Sequence, residues 1–171
     1  MIFLFRRLKR EFCLIGDNLS AVIAASFFTA FGGVVLWVSG GSERYFMKQA
    51  ASSHGCAVPL ASVFVLWLAV YALCGFVMAL TWMHGCVFMK KQGICACMLA
   101  GFGYLMTLVW YALFFCTRLT LFPALLLILS FIAFAAIFVI TRRTFFVISA
   151  AIILIEFAQL YFIYFSLTLF L

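Results

Sequence analysis

The residues best suited to chemistry in this chain are large aromatics set at helical spacing. From Pro59 the sequence reads PLASVFVLWLAVYALCGFVMALTW. At 100° per residue, Trp67, Tyr71, Cys74, Met78 and Trp82 fall within about one quarter of a helix circumference. Further on, Thr107, Trp110 and Phe114 share one face, with Tyr104, Tyr111 and Phe115 beside them. Two such faces brought together form a cleft that buries a flat ring system through apolar area and stacking geometry. Ordinary helix packing and anchoring at the membrane–water interface use the same residues at the same spacing. Periodicity alone leaves both readings open.

Other chemistry is sparse. The seven cysteines are odd in number and scattered, so no disulfide framework follows from them. Cys56 and Cys116 fall near the same predicted membrane face and are a candidate pair if the fold brings them together. His84-x-Cys86 and Cys95-x-Cys97 flank one loop as an imidazole and thiolate set. They lack the spacing of paired CxxC zinc knuckles, so reduced thiols and no bound metal are expected. His54 reads as a solvated loop residue. There is no Gly-rich phosphate loop, no HExxH and no nucleophile elbow. With only four Asp+Glu and two His, the chain is too poor in titratable groups for ordinary acid–base catalysis, and no catalytic residue is nominated.

Glu156 stands apart, as the only acidic residue after Glu43. Counted from Phe145 at about 1.5 Å per residue it lies roughly 16 Å into its helix, near the middle of a hydrocarbon core of about 30 Å. A charge there is unfavourable by roughly 2.5 to 3.5 kcal/mol, and protonating a Glu at neutral pH costs a similar amount. By either route it should avoid lipid. Ser149, Gln159 and Ser166 lie on the same side, a polar stripe expected to face the bundle interior or a pocket. Gln159, Tyr71 or Thr107 are candidate hydrogen-bond partners, and a polar group of a ligand is the alternative.

These residues must be positioned by helices in a membrane. Of the 171 residues, 70% are hydrophobic and 9% charged, against roughly 25% charged in a soluble domain. A water-soluble globule is ruled out. Charge-free windows predict an all-α integral membrane protein, a five-transmembrane-helix bundle forming a single membrane domain over 1–171. Its helices are expected at about 18–39, 57–82, 94–116, 121–140 and 145–170. Pro59 and Pro123 suit the first turns of the second and fourth helices. The first span, Asn18 to Ser39, is too long for a signal-peptide core. It carries Ala21, Ala25, Thr29 and Gly33 at every fourth position, a stripe that lets helices approach closely. Whether that stripe meets the same chain or a second protomer is left open.

Basic residues orient the bundle, because Lys and Arg are retained in the cytoplasm during insertion. Arg6, Arg7, Lys9, Arg10, Lys90, Lys91, Arg142 and Arg143 fall on one side, and Arg44, Lys48 and Arg118 on the other. This predicts a cytoplasmic N-terminus and an outer C-terminus. The expected location is the cell membrane, as a multi-pass protein of the bacterial plasma membrane. The net charge of +7 is dispersed among helix ends and not gathered on one face, which argues against a nucleic-acid partner.

Pro59, Trp67, Tyr71, Gly75, Leu80 and Trp82 reproduce the pattern P-x7-W-x3-Y-x3-G-x4-L-x-W. In this the chain resembles the tryptophan-rich sensory protein family (TspO/MBR), which includes the translocator proteins, or peripheral-type benzodiazepine receptors. Trp110-x3-Phe114-Phe115-x2-Arg118 is similar to that family's third-helix ending W-x-P-x-F-F-x2-R. Only four Trp occur in the chain, against 23 Phe, and three of them fall on family positions. The resemblance covers about residues 59–118. Outside it the chain departs from the pattern. Arg44-Tyr45 stands where the family has Trp-Tyr, and Pro59 alone represents a double proline. Thr107 corresponds to the family's Asn and Ala112 to its Pro. In the fifth helix Glu156, Phe157 and Leu160 replace P-Y-x2-W, so the second pocket Trp is absent.

The resemblance implies a five-helix bundle, often a homodimer, whose pocket opens toward the first loop. It implies a planar hydrophobic ligand such as a porphyrin or haem, with no resident cofactor. Carried over on the matching positions, Trp67, Tyr71 and Trp110 are pocket residues, and Phe114, Thr107 and Glu156 are added as candidates beside them. Some members are associated with light-driven porphyrin degradation by paired tryptophans. With Leu160 in the partner's place that activity is not expected here, and the chain is read as a non-enzyme. Two classes remain. One is a tetrapyrrole sensor, scavenger or carrier whose partners are the lipid bilayer and a hydrophobic small molecule. The other is a structural or partner-binding membrane protein that keeps the scaffold without the pocket.

Overall fold

A computed structural model describes residues 2–39, 60–88, 91–116, 121–142 and 145–168. These residues form six helices and no strand: α1 Ile2–Asp17, α2 Leu19–Ser39, α3 Leu60–Phe88, α4 Lys91–Cys116, α5 Leu121–Thr141 and α6 Phe146–Thr168. α2 to α6 are the five expected spans, each long and apolar enough to cross a bilayer. Arg44, Tyr45, Lys48, His54, Cys56 and Pro59 lie outside the described residues, as do Lys90, Arg118 and Arg143. The side chains of Arg7, Cys86, Phe115 and Cys116 lie outside them too.

Where the sequence reading has only a basic N-terminal segment, the structure has α1. Its sequence, IFLFRRLKREFCLIGD, alternates apolar and charged residues at helical period, the pattern of an amphipathic helix. Asn18 separates α1 from α2 and caps both. Its amide Nδ2 donates to the Leu14 carbonyl at 3.1 Å, while its own carbonyl accepts the N–H groups of Ala21 and Val22 at 3.0 and 3.1 Å.

α3 is the central helix, packed against α2, α4 and α6; contacts of α4 with α5 and of α5 with α6 close a ring, and α2 lies outside it on α3. This order follows from where side chains are small. The Ala25–Thr29–Gly33 part of the stripe faces α3 of the same chain. A Cβ on Gly75 would meet Thr29 Oγ1 and the Ala25 backbone, and one on Gly33 would meet the Tyr71 ring. At the other end of α3, Gly85 and Gly93 bring α3 and α4 together backbone to backbone, since a Cβ on Gly93 would lie 2.5 Å from Gly85. In lipid, such close approach is what selects one helix partner over another. α3 runs past the expected end near residue 82 to Phe88, because this glycine contact holds its last turns against α4.

Candidate functional site

The two expected aromatic faces meet. Trp67, Tyr71, Thr107, Trp110 and Phe114 come from α3 and α4, and each is at most 3% exposed. Trp67 stacks on Tyr111 with ring centroids 4.1 Å apart and planes 29° from parallel. It meets Tyr71 edge-on at 4.4 Å, and Tyr71 meets Tyr104 edge-on at 5.4 Å. Trp110 stacks on Phe114 at 5.6 Å and reaches Phe162 of α6 at 5.3 Å. Offset and edge-to-face contacts of this kind are the favoured arrangements of aromatic quadrupoles.

Hydrogen bonds fix the polar ends of Tyr71, Tyr104 and Trp110, as burial of a phenol or indole favours, whereas Trp67 Nε1 is buried with no hydrogen-bond partner among the described residues. The Tyr71 hydroxyl donates to the Thr107 carbonyl at 3.1 Å, and the Thr107 hydroxyl donates to the Tyr104 carbonyl at 2.6 Å. Tyr104 in turn donates to the Thr29 carbonyl of α2 at 3.1 Å. Trp110 Nε1 donates to Ser166 Oγ at 3.2 Å, whose own hydrogen goes to the Phe162 carbonyl at 2.8 Å.

Sequence reasoning missed the contribution of α2 to the cluster. Trp37 of α2 lies 4.3 Å from Phe64, 6.3 Å from Trp67 and 6.4 Å from Tyr111. A signal was available, since Trp37 is the next fourth-position residue after Gly33 on the small-residue stripe. Trp82 goes the other way and is 55% exposed. Fifteen residues at 100° leave it about 60° round the helix from Trp67, enough to carry it off the buried face.

Glu156 does not join the group. It is half-buried, and its Oε1 is enclosed with no hydrogen-bond partner among the described residues. Tyr71 and Thr107 are engaged as above, and Gln159 donates from Nε2 to Ser130 Oγ at 2.7 Å, while its Oε1 is buried with no hydrogen-bond partner among the described residues. Ser130 passes its own hydrogen to the Gly103 carbonyl at 2.9 Å, linking α6, α5 and α4. Of the polar stripe, Ser149, Gln159 and Ser166 are buried and Glu156 sits at its edge. Phe157 and Leu160, the other fifth-helix positions compared with the family, are 69% and 49% exposed. α6 therefore meets the aromatic cluster through Phe162 and Ser166 instead.

Among the described residues no group of three His, Cys, Asp or Glu side chains is placed to hold a metal. Cys95 is exposed, Cys97 Sγ lies 3.6 Å from the Met78 carbonyl, and His84 stacks on Phe145.

The rings fill one another's space. A flat ligand between Trp67 and Tyr111 needs contact distances of about 3.5 Å on each face, so the pair must part by roughly 3 Å. The Trp37 end of α2 is the element that can yield, because α2 packs mainly on α3 and is the most exposed of the spans. A cavity among the described residues lies at the opposite end of the bundle, beside Arg10 and His84.

No protein-family model matches the chain, and no curated protein or solved structure matches it significantly.

Proposed function

We propose that this multi-pass membrane protein is a divergent member of the TspO/MBR family and binds a planar hydrophobic molecule of the porphyrin or haem type, as a sensor, scavenger or carrier. The observation that carries the reading is the meeting of Trp67 and Tyr71 with Trp110 and Phe114. These are motif positions from two helices, and they share one buried aromatic cluster with Trp37 as its outer member. A porphyrin entering past Trp37 and Phe64 exchanges ring–ring contacts for ligand–ring contacts of the same kind, so opening the cluster is offset by stacking on the ligand. With Leu160 turned outward, no second tryptophan faces Trp67 from α6, and binding without turnover is the activity proposed.

Titration of the purified protein with protoporphyrin and haemin, followed by absorbance and tryptophan fluorescence, tests this. A saturable shift is expected, weakened about tenfold or more by Trp67→Ala and largely kept by Trp67→Phe. Glu156→Gln should leave the affinity unchanged, because Glu156 lies outside the cluster. Absence of saturable binding would favour the second reading, a scaffold or partner-binding protein, which the close packing of the rings also fits.

The orientation proposed is N-terminus in the cytoplasm and C-terminus outside, from the basic residues that share one end of the bundle. Reporters fused after Ser52 and after Lys90 should register outside and inside respectively; the reverse result would sink the assignment.

A further inference from the structure

The end of the bundle remote from the aromatic cluster contains a cavity of about 100 Å³. Along α3, the step from Trp67 to His84 places it roughly 25 Å away. Its polar lining is Arg10 of α1, Thr81 and His84 of α3, Gln92 of α4 and Thr141 of α5. Ala96, Ile140 and Ile148 supply apolar wall, and Phe145 stacks on His84 with ring centroids 3.5 Å apart. The Gly85–Gly93 contact holds the first turn of α4 against α3, which fixes Gln92 at the rim.

The electrostatics favour an anion. Arg10 brings a permanent positive charge with a forked geometry suited to phosphate oxygens. Lys9, Lys91 and Arg142, all exposed, adjoin lining residues in sequence, and together they make the potential at this end positive. Glu11, beside Arg10, accepts from the N–H groups of Phe146 and Val147, and its single negative charge leaves Arg10, Lys9, Lys91 and Arg142 in excess at this end.

The threonines narrow the choice further. The hydroxyl hydrogens of Thr81 and Thr141 are committed to the carbonyls of Val77 and Ile137, each at 2.8 Å. Toward the cavity the two side chains therefore offer acceptor lone pairs. A bare inorganic anion would face those lone pairs unfavourably. A phosphodiester whose distal group carries a hydroxyl satisfies both halves of the site, with phosphate on Arg10 and hydroxyl on the threonines. The volume admits a group of several heavy atoms, and the apolar wall at the end of the spans suits a lipid more than a solute.

We propose that this cavity binds the headgroup of an anionic phospholipid, a phosphodiester bearing a distal hydroxyl, at the basic end of the bundle. The test compares wild type, Arg10→Gln and Lys9→Gln in nanodiscs of phosphatidylcholine with and without phosphatidylglycerol. Phosphatidylglycerol should raise the unfolding midpoint of wild type and Lys9→Gln by about 5 °C, and should not raise that of Arg10→Gln. Native mass spectrometry should find a retained phosphatidylglycerol on the first two proteins and none on the third. No rise in wild type overturns the proposal. An equal rise in Arg10→Gln, or an equal loss in Lys9→Gln, reduces the effect to general surface charge and overturns it too. A rise of the same size from inorganic phosphate in phosphatidylcholine alone would make the cavity a small-anion site and remove the lipid.

Discussion

Gly75→Val is expected to separate α2 from the rest of the bundle. Any Cβ at Gly75 meets Thr29 Oγ1 and the Ala25 carbonyl, with the Ala25 carbonyl carbon at 2.8 Å. The obstacle is backbone, which cannot rotate away as a side chain can. Overpacking of this sort costs about 1–3 kcal/mol, so Gly75→Ala should already lower the unfolding midpoint in detergent, and the branched valine should cost about 3 kcal/mol of stability or more. The damage should spread to the aromatic cluster, because α2 carries both Trp37 and the carbonyl that accepts the Tyr104 hydroxyl. Gly16→Val is the control: a Cβ there meets nothing within 4 Å, and its cost should be limited to helix propensity. A Gly75→Ala protein as stable as wild type would mean that α2 does not pack on α3 as described.

Glu11→Ala should be nearly as damaging, for a different reason. Glu11 is 4% exposed, and its two oxygens each accept a 2.8 Å hydrogen bond, from the N–H of Phe146 and of Val147. The first N–H groups of a helix have no partner within it, and a carboxylate there also complements the helix dipole. Removing it leaves two part-buried donors without that partner. From the worth of helix caps and of hydrogen bonds to charged groups, the expected loss is about 3 kcal/mol. Glu11→Gln, which retains one acceptor, should lose less. Amide hydrogen exchange at Phe146 and Val147 should accelerate in both variants, whereas Asp17→Asn on the exposed side of α1 should change neither readout. Unchanged exchange in Glu11→Ala would show that the cap is not what holds the start of α6.

What could be read from the sequence is what local pattern and the solvent decide. An apolar stretch of about twenty residues has one stable form in a bilayer, since only a helix satisfies its own backbone there. The five spans and the all-α class follow from that with no tertiary information. The aromatic faces of α3 and α4 are likewise a matter of period, and so is the small-residue stripe of α2. Period says which residues share a face; it does not say what the face meets. Lipid is as apolar as a neighbouring helix, so hydrophobicity cannot rank the possible pairings, and shape must do so. Gly33 and Gly75 placed α2 on α3, and that contact delivered Trp37 to a cluster which sequence reasoning had assembled from α3 and α4 alone. Glu11 was illegible for a related reason: it caps a helix that starts 135 residues later, and no local spacing carries that information. Glu156 marks the same boundary. Its depth in the span was readable from a count of residues, but a few tens of degrees of helix rotation decided that Gln159 would reach Ser130 while Glu156 stayed at the edge, and rotation is set by the packing of neighbours, which only the tertiary structure supplies.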